Sequence, residues 1–143
     1  MKNKMIEKLF ELAYTDSMTE VQNRNAYEER LKKLRKPNAN ISHITVIVVD
    51  VNGLKEINDS YGHFCGDDAI KTVAKALRDT IGLKADIFRI GGDEFCVIMR
   101  KDLDKVSLMM NTRLMLEEMG ADYRPMEFSL SYEVQTDRKG ILS

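Results

Sequence analysis

The chain has 143 residues, 43% of them hydrophobic, with 22 basic and 23 acidic side chains and a formal net charge of -1. That length suits one domain with a real core, and the balanced charge makes an extended nucleic-acid backbone a poor partner. No apolar stretch approaches the length of a membrane span, and Met1–Lys8 lacks the apolar run and cleavage site of a signal peptide.

Met5, Ile6, Leu9, Phe10, Leu12 and Ala13 recur at helical spacing and predict an N-terminal helix or linker over residues 1–13, ahead of a domain body over 14–143. Thr15 and Asp16 break that pattern with turn chemistry. Tyr27, Leu31 and Leu34 mark a second helix, which Pro37 stops, and Lys36–Ser42 reads as a polar loop. Ile44–Val49 is a nearly continuous β-branched run, the pattern of a strand covered on both faces. Asn52–Phe64 holds two glycines and several polar residues, which predicts irregular chain.

Asp67 and Asp68 are placed at the opening of a third helix, where acids suit the positive end of the dipole; its apolar face is Ile70, Val73, Ala74, Leu77 and Ile81. Two short apolar runs, Asp86–Ile90 and Phe95–Met99, flank Gly91–Gly92 and predict a hairpin whose tight turn calls for positive φ. Asp104 is the cap of a fourth helix, with Val106, Met109, Met110 and Leu114 inward and Gly120 at its end. Phe128–Val134 alternates as a last strand. From Ile44 onward the order is βαββαβ, an α+β chain with a ferredoxin-like antiparallel sheet flanked by helices. Cys65 and Cys96 are isolated, without metal-ligand spacing, which fits a reducing, cytoplasmic setting, whether for a free protein or for the cytosolic part of a larger one.

Two adjacent carboxylates, Asp93 and Glu94, stand where a core strand should begin. Repulsion and desolvation oppose ionising both unless a cation or a donor is near. Asp50 follows the Ile44–Val49 run, so pairing of that run with the hairpin would bring it to face them. Three carboxylates at one sheet edge make a hard, oxygen-rich site suited to magnesium. The plain alternative is a strand-end acid beside solvated turn residues.

Gly91-Gly92-Asp93-Glu94-Phe95 resembles the signature of the GGDEF family, the diguanylate cyclases. Three further blocks follow the family's order: Asp16–Arg24, Asp50–Asp59, and Tyr61-Gly62-His63 leading to Gly66-Asp67. The resemblance implies a palm-type fold, similar to that of nucleotide polymerases and adenylyl cyclases. It implies condensation of two GTP molecules into cyclic di-GMP, with release of pyrophosphate, by a homodimer that binds one GTP with magnesium in each subunit; manganese is the alternative ion.

In the residues that match the family, Asp50, the Val51 carbonyl and Asp93 are metal ligands, and Glu94 holds a second ion or orients the first. The catalytic set is Asp93, as candidate proton acceptor, with Glu94 and Lys55, which neutralises phosphate charge. Backbone amides around Gly53 and Leu54 cradle the β- and γ-phosphates. Asn58 and Asp67 match the family's guanine-reading pair: a carboxylate accepts from guanine N1–H and the exocyclic amine, and an amide both donates and accepts. Adenine lacks that donor edge, so the pair favours GTP over ATP. His63 matches a histidine near the substrate. Asp16, Thr19, Asn23 and Arg24 read as structural, with Arg24 and Arg89 in ion pairs or hydrogen bonds in preference to phosphate contacts.

The departures are local. Asn52 replaces the second Asp of the common Asp-x-Asp-x-Phe-Lys pattern, a variant form of the motif. Ile81–Asp86 lacks the family's inhibitory Arg-x-x-Asp positions, so no product inhibition is expected there. The family continues with a final helix after the strand resembling Phe128–Tyr132, so the expectation is a truncated C-terminal end. The N-terminal helix is the expected dimerisation device, unless its apolar face packs on its own domain. Two rivals to catalysis are a non-enzymatic GTP-binding regulatory module and a pure dimerisation scaffold. A sensory domain in a longer parent chain is the further partner expected.

Overall fold

The β-branched run becomes the centre of the molecule. In the computed structural model, which describes residues 2–37, 39, 41, 43–120 and 129–135, it forms β1 (Ile44–Asn52). Helices α1 (Lys2–Tyr14) and α2 (Arg24–Leu34) precede it. Helices α3 (Leu54–Tyr61) and α4 (His63–Ile81), a short 3₁₀ turn (Gly82–Lys84), β2 (Ala85–Arg89), β3 (Glu94–Arg100), α5 (Lys105–Gly120) and β4 (Ser129–Gln135) follow. The sheet order is β2-β3-β1-β4 with every neighbour antiparallel, as the ferredoxin-like reading requires.

Period-two alternation divides the strand residues between two helical layers. Ile47, Val49 and Val51 of β1, Ile87 of β2, and Phe95, Val97 and Met99 of β3 cluster with Ile70, Val73, Leu77 and Ile81 of α4 and with Leu108, Met109 and Leu116 of α5. The opposite face carries Val46, Phe88, Cys96 and Ile98 against Ala26, Leu31 and Leu34 of α2. Both faces of β1 are therefore apolar, which is why its sequence shows no polar alternation. Burying one such side chain contributes about 1.5–3 kcal/mol. The starts of α2 and α5 are closed by polar side chains. Asn23 Oδ1 accepts from the Ala26 amide at 2.9 Å, and Asp104 Oδ1 accepts from the Ser107 amide at 3.1 Å.

Several expectations change. Asn52–Phe64 is mostly helical: Gly53 (φ 79°) and Gly62 (φ 89°) are left-handed joints at the two ends of α3. Leu54, Ile57 and Tyr61 share one face of α3, but only Ile57 is buried, and the polar residues between them read as loop. Helix α4 starts at His63, four residues before Asp67, and its first turn contains no acid; the dipole explanation for Asp67 and Asp68 fails. Gly91 and Gly92 are not among the positive-φ residues. They lie in a longer loop between Arg89 and Glu94, closed by the Ile90 amide donating to the Glu94 carbonyl at 2.9 Å.

The inward face of α5 is Leu108, Met109, Thr112 and Leu116, whereas Val106, Met110 and Leu114 are exposed. Apolar side chains occur all around this helix, so sequence spacing gave no contrast to choose by. No residue of α1 is buried, and Met5, Ile6, Leu9, Phe10 and Leu12 are 61–69% exposed, so its apolar face does not pack on its own domain. The predicted last strand is present as β4, except that Phe128 lies outside the described residues. The expectation about structure after the last strand falls on residues 136–143, also outside them.

Candidate active site

Antiparallel register does what the sequence could only suppose. Asp50 is directly opposite Glu94, and both lie on the α2 side of the sheet, in phase with Cys96 and Ile98. Strand β1 runs on through Asn52, so Asp50 sits within the strand and not at its end. The Val51 amide donates to the Asp93 carbonyl at 2.9 Å, tying the hairpin loop to β1. Burial pushes the Glu94 carboxyl above its ordinary range. A hydrogen bond with Asp50 and the charges of Asp50 and Asp93 push it the same way, opposed by Arg24. Beneath it, burial pushes the Cys96 thiol up to about 12, with the Glu94 charge adding to the effect.

Among the described residues no trio of His, Cys, Asp or Glu side chains stands ready-made around a metal position. The donor chemistry nonetheless fits a hard divalent cation. Asp50, Asp93 and Glu94 supply carboxylate oxygens, and Glu94 is protonated more readily than normal, first through burial and then through its acidic neighbours. A cation would relieve that crowding.

Two arginines hold the loop. Arg89 Nη2 donates to the Gly92 carbonyl at 3.0 Å, and its Nη1 contacts Asp16 Oδ2 at 3.3 Å. Arg24 Nη1 donates to the Ile90 carbonyl at 2.6 Å, and its Nε pairs with Glu28. Asp16 also accepts from the Thr19 amide and hydroxyl, at 3.0 and 2.6 Å. Burial alone would raise the Asp16 carboxyl, but the Thr19 bonds and Arg89 outweigh it and hold it below the usual range. Both arginines thus make the hydrogen bonds and ion pairs expected of them, and Arg89 also lines the cleft described next.

A cleft of about 240 Å³ opens between α3, α4 and the hairpin loop, lined by Leu54, Asn58, Gly66, Asp67, Ile70, Arg89, Gly92 and Asp93. It brings together four of the predicted site residues: Leu54, Asn58, Asp67 and Asp93. Lys55 and His63 are exposed and outside the lining, Gly53 forms the turn into α3, and Asp50 and Glu94 meet across the adjoining strand pair. A β-carbon built on Gly92 would meet nothing within 4 Å, so open space and not packing surrounds that position. Gly66, Ile70 and Arg89 were not predicted as site residues; for Gly66 the available signal was a glycine beside Asp67 in a helical stretch. A larger depression, about 500 Å³, lies at the other end of β1 and β3 beside His43, Arg100, Lys101 and Asp102, where Arg100 is already paired with Asp102.

Comparison with known proteins points the same way. The family model described as the GGDEF domain of diguanylate cyclases matches residues 13–131. The diguanylate cyclase DgcS of Shewanella oneidensis is 35% identical over 98 residues, 68% of this chain and 33% of that protein. The diguanylate cyclase TpbB of Pseudomonas aeruginosa is 36% identical over 88 residues, 61% of this chain and 20% of that protein. The chain thus spans about a third or less of the length of these curated relatives. Among solved structures, the coiled coil and GGDEF domain of DgcB from Caulobacter crescentus, in complex with c-di-GMP, superposes with a TM-score of 0.70 at 23% identity, covering 92% of this chain and 73% of that one; it shows the shared fold. A form of TpbB comprising only its GGDEF domain gives 0.63 at 27% identity, covering 85% and 74%.

Proposed function

Since the chain belongs to the GGDEF family of diguanylate cyclase domains, we propose that it condenses two GTP molecules into cyclic di-GMP. The observation that carries this reading is one cleft holding Asn58, Asp67 and Asp93 beside the Asp50–Glu94 pair.

Asp67 accepts from the guanine N1–H and amine, while Asn58 supplies both a donor and an acceptor to the same base. The first amides of α3, which like those of any helix start have no acceptor within the helix, face the β- and γ-phosphates after the Gly53 turn. Lys55, exposed beside them, neutralises phosphate charge. Magnesium, or manganese, held by Asp50, the Val51 carbonyl, Asp93 and Glu94, supplies Lewis-acid stabilisation of phosphate charge when bound.

Two subunits face each other, each presenting one GTP. The 3′-oxygen of one nucleotide forms a bond to the α-phosphorus of the other, the bond from that phosphorus to the β-phosphate bridging oxygen breaks, and pyrophosphate leaves. Asp93 accepts the hydroxyl proton. The reciprocal step closes the ring. Association of two α1 helices through their uncovered apolar faces is the proposed route to the dimer. No helix among the described residues is long and apolar enough to cross a membrane. The parent protein's sensory domain and its cytoplasmic setting belong to this same proposal.

Concentrated protein incubated with GTP and magnesium, followed by chromatography, should yield cyclic di-GMP and pyrophosphate. Asp93→Ala should abolish both. GTP binding without product would favour the second reading, a regulatory nucleotide-binding module. Absence of GTP binding overturns both.

A further inference from the structure

Gly66 is the fourth residue of α4 and is buried, in a helix where glycine is among the poorest choices. Its φ is not positive, so backbone conformation does not demand glycine. Space does. A β-carbon built there would lie 1.7 Å from Asn58 Oδ1, 2.8 Å from Asn58 Cγ and 3.3 Å from Asn58 Nδ2. Those three nearest atoms all belong to one carboxamide, whose oxygen points nearly end-on at the place a β-carbon would take. The Asn58 backbone is fixed as well, because its carbonyl accepts the Gly62 amide at 2.9 Å. Both residues line the cleft that also holds Asp67.

We propose that Gly66 is a specificity-determining positioning residue: the bare α-carbon is the slot that holds the Asn58 carboxamide in register with Asp67 for a guanine base. The inference rests on the nucleotide reading of the cleft and names what makes that site selective. An amide already seated loses little rotamer freedom when the base arrives, so its hydrogen bonds are realised more fully. The helix supplies this at the expense of its own propensity, which accounts for a glycine inside a buried turn.

The obstruction to a larger residue is the free end of a half-buried side chain, not backbone. Gly66→Ala therefore keeps the fold and expels the amide. Its melting temperature should equal or exceed that of the unaltered protein, because alanine favours the helix. Its affinity for GTP, read by calorimetry with magnesium, should fall by roughly tenfold, the scale of one oriented hydrogen bond lost. ATP affinity should stay unchanged, so the GTP-to-ATP preference drops. Asn58→Ala should reproduce the loss, and Asn58→Ala with Gly66→Ala should bind no more weakly than Asn58→Ala alone.

A lowered melting temperature with GTP and ATP weakened alike would assign Gly66 a merely structural role and overturn the proposal. So would unaltered GTP affinity, or equal losses in both backgrounds. An unaltered protein that binds no guanine nucleotide at all would sink the reading of the site first, and the specificity role with it.

Discussion

Removing the Arg89 guanidinium should loosen the whole hairpin loop. It contacts Asp16 at 3.3 Å and the Gly92 carbonyl at 3.0 Å, and the Arg89 and Asp16 side chains are 19% and 22% exposed. A fully buried pair broken from one side costs about 3–5 kcal/mol, and an exposed one about 0.2–1 kcal/mol. Asp16 also keeps its two Thr19 hydrogen bonds, which softens the loss. Arg89→Ala should therefore cost about 2 kcal/mol, between those limits. For a chain of this size that lowers the melting temperature by roughly 6 °C. Urea unfolding at pH 7 reads it as a lower midpoint at constant slope. In a double-mutant cycle with Asp16→Asn, about 1 kcal/mol or more should be shared. The exposed Arg100–Asp102 pair is the control and should show no measurable loss on disruption, since its side chains are 73% and 65% exposed. Strict additivity of the Arg89 and Asp16 changes, or a loss at Arg89 no larger than the control's, would refute the idea that these groups act as one tie.

The same carboxyl gives a pH signature. Asp16 is held below its ordinary value of 3.8, so its contribution is present above that pH and lost as pH falls through the lower folded value. The stability gap between the unaltered protein and Asp16→Asn should accordingly narrow in acid titrations below about pH 4. Glu94 is raised by burial and by Asp50 and Asp93, so its charge opposes folding at neutral pH. Glu94→Gln should raise the metal-free melting temperature by about 1–3 °C, the scale of one like-charge cross-strand pair, and shrink the further rise produced by magnesium. A metal-free variant less stable than the unaltered protein would contradict the crowding. Cys96 is fully buried with its thiol pushed up to about 12, whereas Cys65 is partly exposed. A disulfide reagent at pH 8 should modify one thiol in the native protein and the second only in denaturant.

The strands were legible because their signals were dense. The β-branched run of β1, the hairpin and the meeting of Asp50 with Glu94 all follow from apolar runs whose register leaves few choices. Helices α1, α2 and α4 beyond Asp67 were legible from apolar spacing, and the existence of α5 from its Asp104 cap. Helix α3 was missed because Asn52, Gly53, Asn58, Asp59, Ser60 and Gly62 carry loop chemistry, while one buried residue, Ile57, holds the helix down. The inward face of α5 was misread because valine, leucine and methionine surround it. Gly91 and Gly92 suggested a strained two-residue turn, whereas a longer loop removes the need for positive φ. The role of Arg89 as the strut under that loop, and the fit of Asn58 against Gly66, are tertiary facts with no local pattern to announce them.

The two halves of the proposed site, the strand pair and the neighbouring helix, are founded very differently. Asp50 and Glu94 stand on strands locked into the centre of the sheet, whereas Leu54, Lys55 and Asn58 ride on a short helix hung between glycine joints and pinned by Ile57. Regions with few buried contacts open at lower free energy than the core. Warming should therefore weaken the proposed nucleotide binding well before it unfolds the sheet, and substitutions at Ile57 should mimic heat.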